Sequence, residues 1–357
     1  MKWKLLIAAI GVSFASFQFC TAQSRNDKEI QDVKAKMIWN KAPYNAFTDI
    51  IRFKGRLYCT FREGSGHVPG KTGTDGEIRI LVSKTGDNWK SVALLKKSGI
   101  DLRDPKFSVT PDGRLMIICG GSVYKGDTLL ARYPHVSFSN KGGTKFSMPE
   151  RVALHGAIHS DFAWIWRVTW HGKIGYGIDY QIGPKERRGP TKLFLVSTKD
   201  GKSYSLVHEF HIDGFPNEST VRFDKDGQMY VLIRRELNDK LGMLAVSRPP
   251  FTDWTFHKLS IPLGGPNFIF LGDDRLLIGT RTFKETQNGR ETHTGLLLTD
   301  LEGNIQKTIQ LPSGNDTGYP GLLNYNDTLW VTYYSNHENQ HTSIFLAKIP
   351  IDSLTAQ

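Results

Sequence analysis

The chain has 357 residues, of which 39% are hydrophobic and 23% charged, so it carries enough apolar material for a large buried core. Glycine (35 residues) and aromatics (11%) are plentiful while long helical periodicities are scarce, and the composition leans to β structure. The formal net charge of +11 is scattered, with no polybasic run and no nucleic-acid motif, so it reads as a solvated basic surface with at most a weak pull on anionic glycans.

The opening segment MKWKLLIAAIGVSFASFQFCTAQ has the layout of a secretory signal. Lys2 and Lys4 form the charged start, Leu5 to Phe19 an apolar stretch, and Cys20 and Ala22 supply small residues for cleavage before Gln23. Removing residues 1–22 leaves residues 23–357 as a single domain of net charge +9, 44 basic minus 35 acidic. Phe17-Gln18-Phe19 is a poor approach to a lipid attachment at Cys20, so a secreted or periplasmic location is favoured over anchoring. The two remaining cysteines, Cys59 in LYCTF and Cys119 in MIICGG, sit in apolar strands and read as buried thiols, although an oxidising compartment leaves a disulfide open. No Cys/His cluster has metal-ligand spacing, and no cofactor is implied.

One local pattern then recurs along the chain: a turn followed by an apolar or alternating strand. The copies are FKGRLYCTFRE, PDGRLMIICGG, WHGKIGYGIDY, KDGQMYVLIRR, GDDRLLIGTRT and YNDTLWVTYYS, with turn residues Gly55, Gly113, Gly172, Gly227, Asp274 and Asp327. Gly or Asp supplies the left-handed conformation of a tight hairpin, and the apolar residue two positions on starts the next strand. After each copy come a polar loop, a strand, a second turn and a fourth strand, as in GEIRILVSKTGDNWKSVALL. Six units of four strands predict an all-β, six-bladed propeller with antiparallel blades. The last unit, from Tyr319, shows three strands, and KAKMIWNKAP near residues 34–43 is predicted to supply its outer one.

Superimposing the repeats brings chemistry to one face. Seven residues after the turn stand Arg62, Gly120, Asp179, Arg234, Arg281 and Tyr334, and nine before it Ala46, Asp104, Ala163, Glu218, Gly265 and Gly318, followed by Tyr319. Residues equally distant from a hairpin turn lie at the same end of the sheet. Three arginines, two carboxylates and a tyrosine should therefore surround the central channel, beside long polar loops such as EGSGHVPGKTGTDGE, which carries His67, Asp75 and Glu77. Strand alternation turns Arg235 away from Arg234, to a structural or rim position.

The second turns, around Gly86 and Trp89, Gly143 and Phe146, and Gly201 with Ser203 and Tyr204, resemble degenerate Asp-boxes whose aspartate is replaced by Lys84, Lys141 and Lys199. With PNES, the later arginines and the export signal, the chain resembles the sialidase (neuraminidase) superfamily over most of residues 40–350. That resemblance implies a retaining exo-glycosidase for a terminal acidic sugar. It implies Tyr319 as nucleophile, Glu218 as the group that activates it, and Asp75, or else Glu77, as acid/base. Arg234 and Arg281 would hold the substrate carboxylate. The family's first arginine belongs to an Arg-Ile-Pro motif, and this chain has Phe47-Thr48-Asp49 there. Arg62 or Arg103 would have to take its place, and the substrate widens from sialic acid to related ulosonic or uronic acids.

Further candidates for substrate contact are Arg103, Asp104, His67, Asp179, and Trp166 and Arg167 of WIWRVTW, a segment that equally reads as the inner strand of blade 3. A lyase acting on uronates and a non-catalytic propeller that binds acidic glycans are the alternatives on the same fold. The expected partner is in each case an acidic glycan, not a nucleic acid.

Overall fold

The computed structural model describes residues 33–183, 191–287 and 289–355. Six antiparallel sheets follow one another along the chain, and each strand is hydrogen-bonded to the next in sequence. Blade 1 spans residues 44–95, blade 2 residues 101–151, blade 3 residues 163–210, blade 4 residues 216–262, blade 5 residues 267–310 and blade 6 residues 317–350. Blade 3 gains a short parallel strand, Ala153–Leu154, on its outer edge. Blade 6 has three strands of its own, and the N-terminal strand Ala35–Trp39 completes it by pairing antiparallel with Ser343–Pro350. The ring therefore closes with the two ends of the chain in one sheet, which removes the exposed edges an open array would keep. The expected leader lies outside the described residues. No helix among them is long and apolar enough to cross a membrane.

The predicted hairpin turns are present, and Gly55, Gly113, Gly172, Gly227 and Asp327 take the left-handed conformation expected of them. In blade 5 that conformation falls on Gly272 rather than Asp274, because the turn there is built from Gly272, Asp273 and Asp274 together. Cys59 and Cys119 are both buried and unpaired. The Asp-box-like turns pack each blade onto the one before it. Gly86 of blade 1 faces Trp330 of blade 6, Gly143 of blade 2 faces Tyr58 of blade 1, and Gly201 of blade 3 faces Met116 of blade 2. Trp89 donates its indole N–H to the Gly86 carbonyl at 3.0 Å, and Trp254 does the same to Phe251 at 3.1 Å. Of the turns that lost their aspartate, the first is braced by the Trp89-to-backbone bond, and in the other two the Asn140 and Asp200 side chains accept the Thr144 and Ser203 backbone N–H groups, each at 2.9 Å.

Around the channel, neighbouring inner strands are joined by buried side chains. Thr48 donates to the Tyr319 carbonyl at 3.0 Å, Lys106 to the Thr48 carbonyl at 3.2 Å, and Thr169 to the Val221 carbonyl at 2.6 Å. Thr220 donates to the Pro266 carbonyl at 2.8 Å and Asn267 to the Pro320 carbonyl at 3.1 Å. Arg167 crosses from blade 3 to blade 1 and grips Asp49 with both terminal nitrogens, at 2.9 and 3.1 Å. Each bond satisfies a backbone or charged group that would otherwise be buried alone.

Candidate active site

Five of the six inner strands carry a two-residue register break near the same end. The breaks fall at Phe47-Thr48, Asp104-Pro105, Trp166-Arg167, Asn217-Glu218 and Tyr319-Pro320. A bulge of this kind re-aims side chains that regular alternation would place elsewhere. Phe47, Asp104 and Tyr319 stand at φ of +64°, +50° and +53°, a region that costs L-residues on the order of 1–3 kcal/mol and is retained where surrounding structure enforces it. Gly265, next to Pro266 in blade 5, has φ +62° and needs no such enforcement.

These breaks, with the ends of the second strands, assemble a polar cluster over the channel. Tyr319 donates its hydroxyl proton to Oε1 of Glu218 at 2.8 Å. The other carboxylate oxygen, Oε2, receives Arg234 at 2.7 Å and the backbone N–H of Gly265 at 3.0 Å. Arg234 also pairs with Glu236 at the rim. Arg281 lies over the Tyr319 ring at 4.8 Å from its centroid, donates Nε–H to the Thr317 carbonyl at 2.6 Å, and reaches the Tyr334 hydroxyl at 2.5 Å. Phe47 packs against Tyr319 with ring centroids 4.9 Å apart, and Trp166 at 5.7 Å. Lys106, fully within the cluster, sits over the Trp166 and Tyr319 rings at 5.0 and 5.9 Å.

The electrostatics follow from that packing. Burial and the neighbouring Glu218 charge push the Tyr319 hydroxyl well above its ordinary range, so it is a phenol at rest. Burial works to raise Glu218 as well, but Arg234, the Tyr319 hydroxyl and Arg281 outweigh it, and the carboxyl stays ionised. Asp104 is the opposite case. Burial lifts it to about 6, against the pull of Arg103 and Lys106, and its Oδ1 is buried without a hydrogen-bond partner. Burial drops Lys106 to about 8. Arg103 donates to Nε2 of His67 at 3.2 Å while His67 Nδ1 meets the Tyr44 hydroxyl at 3.1 Å. An arginine can only donate, so Nε2 accepts and Nδ1 carries the proton. Burial and Arg103 together lower His67 to about 4, consistent with a neutral ring.

The structure thus brings Glu218, Tyr319, Arg234 and Arg281 together with Asp104, Arg103, His67 and Trp166. Arg62, Asp75, Arg167 and Asp179 make no described hydrogen bond, ion pair or ring contact with that cluster, although the Arg62 charge acts on His67 and Asp104 and the Arg167 charge on Lys106. Arg62 is fully buried and gives its terminal nitrogens to Asp101 at 2.6 Å and to the Gly66 carbonyl at 2.7 Å, so it offers no open edge to a carboxylate. Asp75 is half-buried behind that pair, raised by burial and by Asp101, and accepts a hydrogen bond from the Gly99 backbone. Glu77 pairs across strands with Glu63. Arg167 is committed to Asp49, and Asp179 accepts Trp164 N–H at 3.0 Å and Gln181 at 2.8 Å inside blade 3. Lys106, Tyr44 and Phe47 are further site residues that the repeat register does not mark as functional, while Tyr334 stands at the same register position as Arg234 and Arg281. One sequence signal marks two of the five bulges: Asp104-Pro105 and Tyr319-Pro320 place a proline just after the left-handed residue, as does Gly265-Pro266 at the matching place in blade 5.

Comparison with solved structures gives the fold its relatives. The chain superposes on a protein of unknown function from Dyadobacter fermentans with a TM-score of 0.73 and 17% identity, covering 88% of this chain and 97% of that one. It is similar to a Hadza microbial sialidase (TM-score 0.69, 14% identity, 89% and 69% covered) and to an α-L-arabinofuranosidase from Fusarium graminearum (0.65, 14%, 90% and 98%). No protein-family model and no curated protein sequence matches the chain. Identities this low establish a shared architecture, the six-bladed propeller, and leave chemistry to be read from the site.

Proposed function

We propose that this chain is a retaining exo-glycosidase that releases a terminal acidic sugar, sialic acid or a related ulosonic or uronic acid, from a glycan. The observation that carries the reading is the hydrogen bond from the Tyr319 hydroxyl to a Glu218 carboxylate that Arg234 holds in place. A phenol is a poor nucleophile at its normal pKa and needs a base in contact with its proton. Glu218 is that base. As Tyr319 Oη attacks the anomeric carbon, its proton passes to Glu218 and the bond to the leaving oxygen breaks. Asp104, protonated near pH 6, gives its proton to that oxygen. Water then attacks the glycosyl-tyrosine, Asp104 takes the water's proton, and Glu218 returns the other to Tyr319. Sialidases with a tyrosine nucleophile are known exceptions to the two-carboxylate scheme.

The surplus of cations favours an acidic substrate. Arg103, Lys106, Arg234 and Arg281 surround Tyr319, against Asp104 and Glu218. A guanidinium matches a carboxylate by geometry as well as charge. The same contact would tune the base. At rest Arg234 and Arg281 hold Glu218 down. A substrate carboxylate laid across those arginines offsets their field, raises Glu218, and makes it a stronger base when substrate is bound.

The test is a panel of chromogenic aryl glycosides: sialic, ketodeoxyoctulosonic, glucuronic and galacturonic acids, with arabinofuranose as the neutral member. Hydrolysis of an acidic member, lost in Tyr319→Phe, is the expected result. Hydrolysis of the arabinofuranoside alone overturns the substrate class, and an unsaturated uronate product replaces hydrolysis with elimination.

A further inference from the structure

Beside the Tyr319 cluster, and sharing Arg234 and Glu236 with it, lies a cleft of about 660 Å³ over blade 4, within the ~300–1,000 Å³ of small-molecule sites. One wall is the segment before the blade 4 inner strand, with Phe215 and Pro216. The other is the blade 5 hairpin of Arg275–Thr286 and Gly289–Asp300, whose Phe283 and Arg290 line the cleft. These two strands have 12 residues each, and blade 2 on the opposite side of the ring has the only comparable pair among the described strands, of 11 residues each. Leu237, from the loop between the second and third strands of blade 4, is 54% exposed and Phe283 is 36% exposed. The Arg290 guanidinium stacks on the Phe283 ring at 3.7 Å.

The cleft is rigid at its base. Arg235, 3% exposed, donates to the Asp213 carbonyl at 3.0 Å, to Asp213 Oδ1 at 2.7 Å, to Asp239 Oδ1 at 2.7 Å and to the Leu241 carbonyl at 3.1 Å. It therefore ties the two loops of the cleft together. Of its lining cations, Arg234 is paired with Glu218 and Glu236 and Arg235 with Asp213 and Asp239, which leaves the exposed Lys240 and Arg290 at the mouth, the latter 3.8 Å from Glu285, to meet a ligand. Apolar faces beside these two mouth cations suit a saccharide, which presents C–H faces to aromatic and aliphatic side chains and here would carry negative groups.

We infer that this cleft is a second sugar-binding subsite, which holds the next residues of an anionic glycan chain bearing carboxylate or sulfate groups. The inference rests on the glycosidase reading only for which sugar occupies the Tyr319 pocket; occupancy of the cleft is measurable without turnover.

The experiment uses the full chain with Tyr319→Phe, titrated calorimetrically with trigalacturonate, an α2,8-linked sialic acid trimer, a heparin-derived tetrasaccharide, and neutral maltotriose. The free acidic monosaccharides report on the Tyr319 pocket. At least one acidic oligosaccharide is expected to bind more tightly than its monosaccharide, and the heparin arm separates sulfate from carboxylate recognition. Phe283→Ala and the Lys240→Ala/Arg290→Ala pair should each weaken that binding about tenfold and leave the monosaccharide unchanged, in variants whose melting is unaltered. Equal weakening of both ligands, an equal affinity for maltotriose, or no gain from chain length overturns the subsite. If no aryl glycoside is cleaved by the unmodified chain yet Phe283→Ala still weakens the oligosaccharide, the glycosidase reading fails and the subsite stands.

Discussion

Tyr319 and Glu218 come from different blades, 101 residues apart in sequence, and their hydroxyl and carboxylate meet at 2.8 Å. The contact is buried, and Arg234 fixes the far oxygen of the carboxylate, so the pair has one geometry rather than many. Tyr319→Phe removes the nucleophile while leaving ring packing against Phe47 and Trp166 intact. Hydrolysis should fall by at least about 10³-fold, with melting nearly unchanged. A fluorinated glycosyl fluoride of the substrate sugar should label Tyr319, located by peptide mass mapping. Label on Asp104 or Glu218 instead would reassign the nucleophile.

Asp104 gives the pH dependence. As a general acid it must be protonated, so activity should decline as pH rises through about 6, and Asp104→Asn should remove that limb along with most of the rate. Stability runs the same way. The folded carboxyl titrates near 6 and the unfolded one near 3.8, so between those values the unfolded chain binds fewer protons and stability falls as pH rises. Above pH 6 that amounts to about 3 kcal/mol, which the uncharged Asp104→Asn should recover in part. Chemical denaturation of both proteins at pH 4 and pH 7 checks this. A larger gain at pH 4 than at pH 7 contradicts it. Asp179 is also lifted, to about 7, by burial, but it lies inside blade 3, so Asp179→Asn should leave the position of the activity limb alone.

Much of this site is legible in the chain because turn residues and apolar strands are local signals, and a sixfold repeat multiplies them. Register alone picks out Asp104 and Glu218, with Tyr319 one step beyond Gly318, and Arg234 and Arg281. Arg62 occupies the same register position and yet is withdrawn, because Asp101, 39 residues later, captures its guanidinium. No local feature of RLYCTFRE announces that partner. Register brings Asp104 to the channel end as a candidate substrate contact, but does not give its orientation. Regular alternation does not say where it points, whereas the bulge at Asp104-Pro105 gives it a left-handed backbone and a place in the cluster. Lys106 carries no signal at all, since a lysine in a strand usually faces solvent, and this one is 2% exposed.

Arg281 should set selectivity. It touches Tyr334 and the Tyr319 ring but makes no ion pair with Glu218 among the described contacts, so it can be changed without stranding that carboxylate. Arg281→Met should raise KM for an acidic aryl glycoside by about 10- to 100-fold, the worth of a charge-assisted hydrogen bond. Arg234→Met should behave differently. It leaves Glu218 buried and short of its partner, which costs about 3–5 kcal/mol of stability, and kcat should fall with it. Steady-state kinetics with melting curves for the two variants distinguish the roles; matching behaviour would mean that both arginines are structural.

The turns on the opposite face yield a contrast between two glycines with nearly the same backbone. Gly55 has φ +74° and nothing within 4 Å of the place an alanine methyl would take, whereas Gly86 has φ +81° and the Trp330 ring 2.3 Å from that place. Gly55→Ala therefore meets only the left-handed penalty, about 1–2 kcal/mol. Gly86→Ala adds overpacking against blade 6, for a total of about 2–5 kcal/mol, and should loosen the seam where the ring closes. Urea denaturation measures both losses. Trp330→Leu in the Gly86→Ala background should return part of the loss, because it removes the ring that the methyl meets. Equal losses for the two glycines, with no recovery in the double variant, would show that backbone strain alone explains why the turn keeps its glycine, and that the contact between blades does not matter.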